Sequence, residues 1–107
     1  MSKAPLSRVP LDNDAVSRRL EALEGWSLEA PDTPEVHIHK TYRFSDFVGA
    51  FSFMAAVALV AERMNHHPEW LNVWNRVEIS LSTHDAGGVT EFDLALAAEA
   101  DRLSARP

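Results

Sequence analysis

Apolar and polar positions alternate most clearly over residues 35–44, EVHIHKTYRF. Val36, Ile38, Tyr42 and Phe44 fall on one parity; His37, His39, Thr41 and Arg43 fall on the other. A period of two with one apolar face predicts a half-buried antiparallel strand. Just upstream, WSLE (26–29) predicts a shorter strand with Trp26 and Leu28 on one side, and APDTP (30–34) a turn. Downstream, NVWN and VEISLSTH predict two more strands with a tight turn near Asn75–Arg76. There Val77, Ile79 and Leu81 alternate with Glu78, Ser80 and Ser82, and His84 keeps the polar parity at the strand's end.

Three other segments follow the helical period. The first starts at a cap on Asp12 or Asn13 and runs to about Leu23, with Val16, Leu20 and Leu23 as its stripe and Gly25 as its stop. The second, about 46–65, is capped by Ser45 or Asp46. It is apolar nearly all round: Phe47, Phe51, Met54 and Ala58 on one face, Val48, Ala55 and Leu59 on the next, with Phe53, Val57 and Val60 extending them. Such a helix wants a burial surface beyond its own sheet, and in a short chain that surface is expected on another subunit. Pro68 disfavours the helical conformation at His67, so the helix should end near Asn65–His66. DAGG (85–88) predicts a turn. Thr90 with Asp93 is a capping-box signal for a last helix to about Leu103, striped by Phe92, Leu96 and Ala100.

The resulting order, αββαββα, predicts an α+β fold of two layers: a four-stranded antiparallel sheet with three helices on one face. At 107 residues the chain is read as one domain, 1–107. Residues 1–11, with Pro5 and Pro10, are expected to form an extended tail.

Composition narrows the chemistry. There is no cysteine, so disulfides, thiolate zinc sites and cysteine nucleophiles are excluded. The net charge is −6 and the basic residues are scattered; Arg18-Arg19, their one adjacent pair, is read as a solvated face. Direct nucleic-acid binding is not expected of such a chain. The N-terminal stretch lacks the apolar region of a secretory signal. The longest apolar run, 47–61, spans 15 residues, shorter than the roughly 20 of a membrane helix. A cytoplasmic protein is expected.

AERMNHHPEW (61–70) holds the candidate chemistry. Glu62 and His66 are four residues apart, hence neighbours on one helix face, where the carboxylate would orient the imidazole. His67 points elsewhere, since adjacent residues do not share a direction. His84, beside Ser82, Thr83 and Asp85, could converge on the same edge. Three imidazoles with carboxylates at Glu62 and Asp93 suit general acid–base catalysis. Plainer readings stand beside this one. A histidine at a helix C-terminus satisfies the helix dipole. Three histidines can hold zinc, although His-x-x-x-His spacing is missing and no metal is expected. His37 and His39 read as solvated, and the tryptophans as core or interface packing.

Glu62, three residues, His66-His67-Pro68, five residues, Trp74, nine residues, His84, eight residues, Asp93: this spacing resembles the signature of the pterin-4a-carbinolamine dehydratase family, also known as the dimerisation cofactor of a homeodomain transcription factor. FSDFVGAFSFM and HHPEWLNVWNRVEISLSTH are similar to it too. The resemblance implies a dehydratase that converts 4a-hydroxytetrahydrobiopterin, the product of aromatic amino-acid hydroxylases, to quinonoid dihydropterin and water, without metal or cofactor. It implies a catalytic set of His66, His67 and His84, with His66 and His84 as the acid/base pair and His67 orienting the pterin. Glu62, Asn65, Pro68, Trp74, Ser82, Thr83, Asp85 and Asp93 are expected around the substrate. It also implies a homotetramer, a dimer of dimers, built partly on the long helix. Asn65 departs from the pattern, since animal members carry Asp before the two histidines. A protein-interaction module, a transcriptional or assembly cofactor using the apolar helix, is the competing reading.

Overall fold

The computed structural model describes residues 6–105. Its elements run α1 (Asn13–Leu20), β1 (Ser27–Glu29), β2 (His37–Arg43), α2 (Phe47–Met64), β3 (Glu69–Val73), β4 (Arg76–Leu81) and α3 (Glu91–Ser104), with a 3₁₀ turn, His84–Ala86, before α3. The fold is α+β in the order αββαββα. One antiparallel sheet has the strand order β1-β2-β4-β3. Its register pairs Leu28 with Ile38, Ile38 with Leu81 and Tyr42 with Val77, so the apolar parity of each strand faces the helices. Ile38, Val77, Ile79 and Leu81 pack there against Phe53 and Val57 of α2, Leu96 and Ala97 of α3, and Val16 of α1.

Lys40 shares the core parity of β2 yet is charged. Its ammonium donates to the Glu24 carbonyl (2.8 Å) and to Asp101 Oδ1 (2.9 Å). The same carboxylate oxygen accepts from Trp26 Nε1 (3.1 Å) and Tyr42 Oη (2.5 Å), tying β2 to the last turns of α3. Burial, and then the hydrogen bond to Asp101, push the Tyr42 phenol far above its usual value.

Four boundaries differ from the sequence reading. First, α1 stops at Leu20, and Leu23 is reached by turns closed by Ala22–Arg19 and Leu23–Leu20 backbone bonds, with Gly25 beyond at φ 87°. Second, β3 begins directly after Pro68, because Glu69 and Trp70 already pair with Ser80 and Ile79. Third, the hairpin turn is Trp74–Asn75, not Asn75–Arg76, since Arg76 pairs with Val73. Trp74 holds a left-handed φ of 49°, uncommon for a bulky residue. The turn is braced by Asn72 Nδ2 on the Trp74 and Arg76 carbonyls and by Asn75 Nδ2 on that of Phe44. Fourth, β4 ends at Leu81, so His84 opens the 3₁₀ turn instead of closing a strand.

The long helix buries a single stripe: Ala50, Phe53, Val57, Val60 and Ala61. Phe47, Val48, Phe51 and Leu59 on its other faces are 49–75% exposed. By length and mean hydropathy (18 residues, 1.6) this helix is long and apolar enough to cross a bilayer, contrary to the reading from the 15-residue run; its buried stripe packs against the sheet. Residues 6–11 carry no helix or strand, but the Leu11 amide donates to the Val89 carbonyl at 2.8 Å, which lays the segment against the loop before α3. Residues 1–5 of the expected tail lie outside the described residues. Arg19 is not merely solvated: both its terminal nitrogens donate to Glu91 at 2.8 Å.

Candidate active site

The end of α2 sets the site. Asn65 is left-handed (φ 52°, ψ 44°). Its amide donates to the Glu62 carbonyl and the His66 amide to that of Ala61, two interleaved bonds that close the helix as a Schellman motif. Asparagine is one of the few side chains that tolerate this conformation. The left-handed residue turns the chain out of the helix before His66, so the four-residue spacing from Glu62 no longer brings the two together. Glu62 Oε1 meets His67 Nε2 instead, at 2.8 Å on the surface. The expected Glu62–His66 pair is therefore corrected.

The partner of His66 is Asp93. His66 Nε2 lies 2.5 Å from Asp93 Oδ1, with His66 6% and Asp93 0% exposed. Asp93 is held from its other side. Its Oδ2 accepts from the Thr90 amide (2.9 Å), which completes the capping box of α3, and from the Thr83 hydroxyl (2.9 Å). Because Thr83 spends its proton on Asp93, its 2.7 Å contact with Thr90 must be a donation from the Thr90 hydroxyl, which in turn accepts from the Phe92 amide. Every donor around the carboxylate is thus assigned, and Oδ1 is left to take the proton on His66 Nε2. That fixes the tautomer and leaves Nδ1 as the basic nitrogen.

A cleft of about 250 Å³ opens in front of this pair. His66, His67 and His84 line it, with Asn65, Ser82, Thr83 and Asp85. His84 is exposed, its Nε2 3.1 Å from Glu69 Oε1. Through Ser82 and His84 the cleft adjoins a second of about 360 Å³ along the polar sheet face, lined by Pro34, Glu35, His37, Glu69 and Ser80.

Several expected site residues stand elsewhere. Trp74 is in the turn at the far end of the β3–β4 hairpin, 64% exposed and away from the cleft. Asp93 lies behind the histidine, outside the lining of the cleft, with both oxygens engaged by His66, Thr83 and Thr90. The Thr83 hydroxyl is likewise committed inward. Pro68 does not line the cleft; it separates the helix end from β3. Two residues beside the cleft are absent from the site expected from the sequence. Arg8, assigned to the tail, lines the cleft, and its guanidinium sits 4.0 Å over the ring of Phe92. Phe92 in turn flanks His66, ring centroids 5.6 Å apart. No local spacing marks Arg8; only the path of residues 6–11 brings it there.

Residues 9–103 match the model of the pterin 4 alpha carbinolamine dehydratase family. The chain belongs to this family. A Sinorhizobium fredii protein that carries the dehydratase name is 52% identical over 95 residues, covering 89% of this chain and 88% of its own. A Rhizobium meliloti protein of the same name is 51% identical over 94 residues, covering 88% of each. Among solved structures, a transcriptional coactivator/pterin dehydratase from Brucella melitensis superposes with a TM-score of 0.81 at 41% identity, over 89% of this chain and 98% of that one. A pterin dehydratase-like protein identified as a RuBisCO assembly factor in the alpha-carboxysome shares the dehydratase fold at 22% identity, TM-score 0.64, over 78% of this chain and 94% of that one. The family model spans Asn65, the three histidines, Asp93 and Phe92; Arg8 falls one residue before it.

Proposed function

We propose that this member of the dehydratase family removes water from a 4a-hydroxytetrahydropterin, with histidines as acid and base. The observation that carries the reading is the buried Asp93–His66 pair at the back of a cleft that His67 and His84 also line. The reaction asks for two proton movements. A proton is added to the 4a-hydroxyl as the C4a–O bond breaks and water leaves; the N5 proton is removed as the N5 electron pair forms the C4a=N5 bond. A histidine whose Nε2 is pinned by a carboxylate presents a basic Nδ1 of fixed orientation, suited to one of these transfers. His84, exposed and paired with Glu69, is free to serve the other. His67, held by Glu62, contacts and orients the ring. The substrate would come from aromatic amino-acid hydroxylases.

The test is an assay on chemically generated 4a-hydroxytetrahydropterin. Acceleration by the unmutated chain, lost about 10²–10⁴-fold in His66→Ala, supports the proposal. Equal rates with and without protein would refute it.

A second reading has an observation of its own. Phe47, Val48, Phe51 and Leu59 form an apolar face that the sheet leaves uncovered. We read it as the surface of a homo-oligomer, a tetramer assembled as a dimer of dimers. The same face would serve a chain acting as a transcriptional or assembly cofactor. The two roles are separable, since the cleft lies at the C-terminal end of α2 and Phe47, Val48 and Phe51 at its start.

A further inference from the structure

We propose that Arg8 is a substrate-binding residue, whose guanidinium donates to the oxygen-bearing edge of the pterin, the C4 carbonyl and the neighbouring 4a-hydroxyl. The inference rests on the dehydratase reading above.

Three features carry it. Arg8 lines the cleft together with His66, His67 and His84. Its guanidinium carbon lies 4.0 Å from the Phe92 centroid, and Phe92 flanks His66. Stacking on an aromatic face fixes the plane of an arginine while leaving its N–H groups pointing outward. Finally, no described residue accepts a hydrogen bond from that guanidinium, although three carboxylates lie near the cleft. Glu62 is engaged with His67 and Glu69 with His84, and Asp85 lines the cleft without bonding Arg8. An exposed cation stacked on Phe92, its N–H groups open to solvent beside an acid–base pair, is arranged for an incoming acceptor.

The chemistry of the substrate supplies one. The C4 carbonyl oxygen and the 4a-hydroxyl oxygen sit on adjacent carbons, a spacing that the two-pronged edge of a guanidinium can span. A cation there also favours departure of the hydroxyl, because negative charge grows on that oxygen until it is protonated. Lysine would supply the charge without the fork.

Two measurements test this. The first is fluorescence titration with 7,8-dihydropterin, a stable compound that keeps the carbonyl but lacks the hydroxyl. The second is turnover of the 4a-carbinolamine, with melting temperature recorded beside both. Arg8→Ala and Arg8→Gln should weaken dihydropterin binding about tenfold and lower kcat/KM about 100-fold, on the scale of one to two charge-assisted hydrogen bonds, at unchanged melting temperature. Arg8→Lys should fall between them and the unmutated chain. Wild-type binding and turnover in Arg8→Ala would overturn the proposal, as would a loss matched by a fall in melting temperature that Arg8→Lys fully restores. If the unmutated chain binds dihydropterin but does not accelerate dehydration, the dehydratase reading fails by itself. If it binds no pterin, both fail.

Discussion

His66 and Asp93 stand 27 residues apart in sequence and 2.5 Å apart in space, joining the end of α2 to the first turn of α3. One carboxylate does two tasks: Oδ2 caps α3 through the Thr90 amide, and Oδ1 holds the imidazole. Asp93→Asn keeps the shape but offers an NH₂ group in place of one oxygen. If that group faces Nε2, the tautomer reverses and Nδ1 no longer accepts a proton. We expect kcat to fall about 10²–10⁴-fold with little change in KM, read by steady-state kinetics. A larger effect on KM than on kcat would contradict this role.

The exposed histidines should separate kinetically from the buried one. His67 is tied to Glu62 on the surface and should show mainly in KM when replaced by alanine, whereas His84→Ala should lower kcat in part. Glu62→Gln weakens the hold on His67 alone, so it should mimic a mild His67 variant and leave kcat near the unmutated value. A Glu62→Gln kcat as low as that of His66→Ala would restore the pairing the structure rejects.

The left-handed cap makes a stability prediction. Asn65→Asp and Asn65→Gly should each change stability by only a few tenths of a kcal/mol, since both tolerate the conformation. Asn65→Ala should cost about 1–2 kcal/mol by urea denaturation. Because the cap aims His66 and His67, activity in Asn65→Ala should fall under conditions where the chain is still fully folded. Asn65→Asp, which introduces the acidic residue of animal members, should remain active.

The uncovered face of α2 predicts self-association. Ala58 lies on an exposed face of the helix, one residue before Leu59, which is 75% exposed. Ala58→Glu would place an unpaired charge in a dry interface, at a cost of several kcal/mol. Sedimentation should find an oligomer for the unmutated chain at micromolar concentration and a smaller species for Ala58→Glu. A monomer in both would remove the face from consideration as a self-contact.

Tyr42, the only tyrosine, carries an alkaline stability signature. Burial and the Asp101 hydrogen bond raise its phenol in the folded state, so the unfolded chain ionises first, near pH 10. The stabilisation is complete below that pH and is lost as pH rises towards the folded value. Denaturation curves should show stability dropping by up to about 1.4 kcal/mol per pH unit above about pH 10 through this residue. Tyr42→Phe should lack that component. An equal slope in both would show the phenol to be ordinary.

Much of this molecule is legible along the chain, because its elements are written in short-range patterns. The period of two in EVHIHKTYRF and VEISL is imposed by the pleat, and the capping box of Thr90 and Asp93 needs only four residues; both were readable and both are present. The three histidines were also visible as candidate chemistry, since no cysteine or regular metal spacing competes with them, and all three line one cleft. What the sequence could not supply is which group each one faces. Glu62 is close to His66 only while the helix continues, and a single left-handed residue at position 65 transfers it to His67. Asp93 reaches His66 because α3 packs beside α2, a matter of tertiary packing and not of spacing. Trp74 matches the family's spacing but is carried to the far end of its hairpin by the register of β3 on β4. Arg8 enters the cleft only because an otherwise featureless segment is tied down at Val89. Local backbone preference thus wrote the elements into the sequence, and long-range packing alone decided the partners of the side chains that line the cleft.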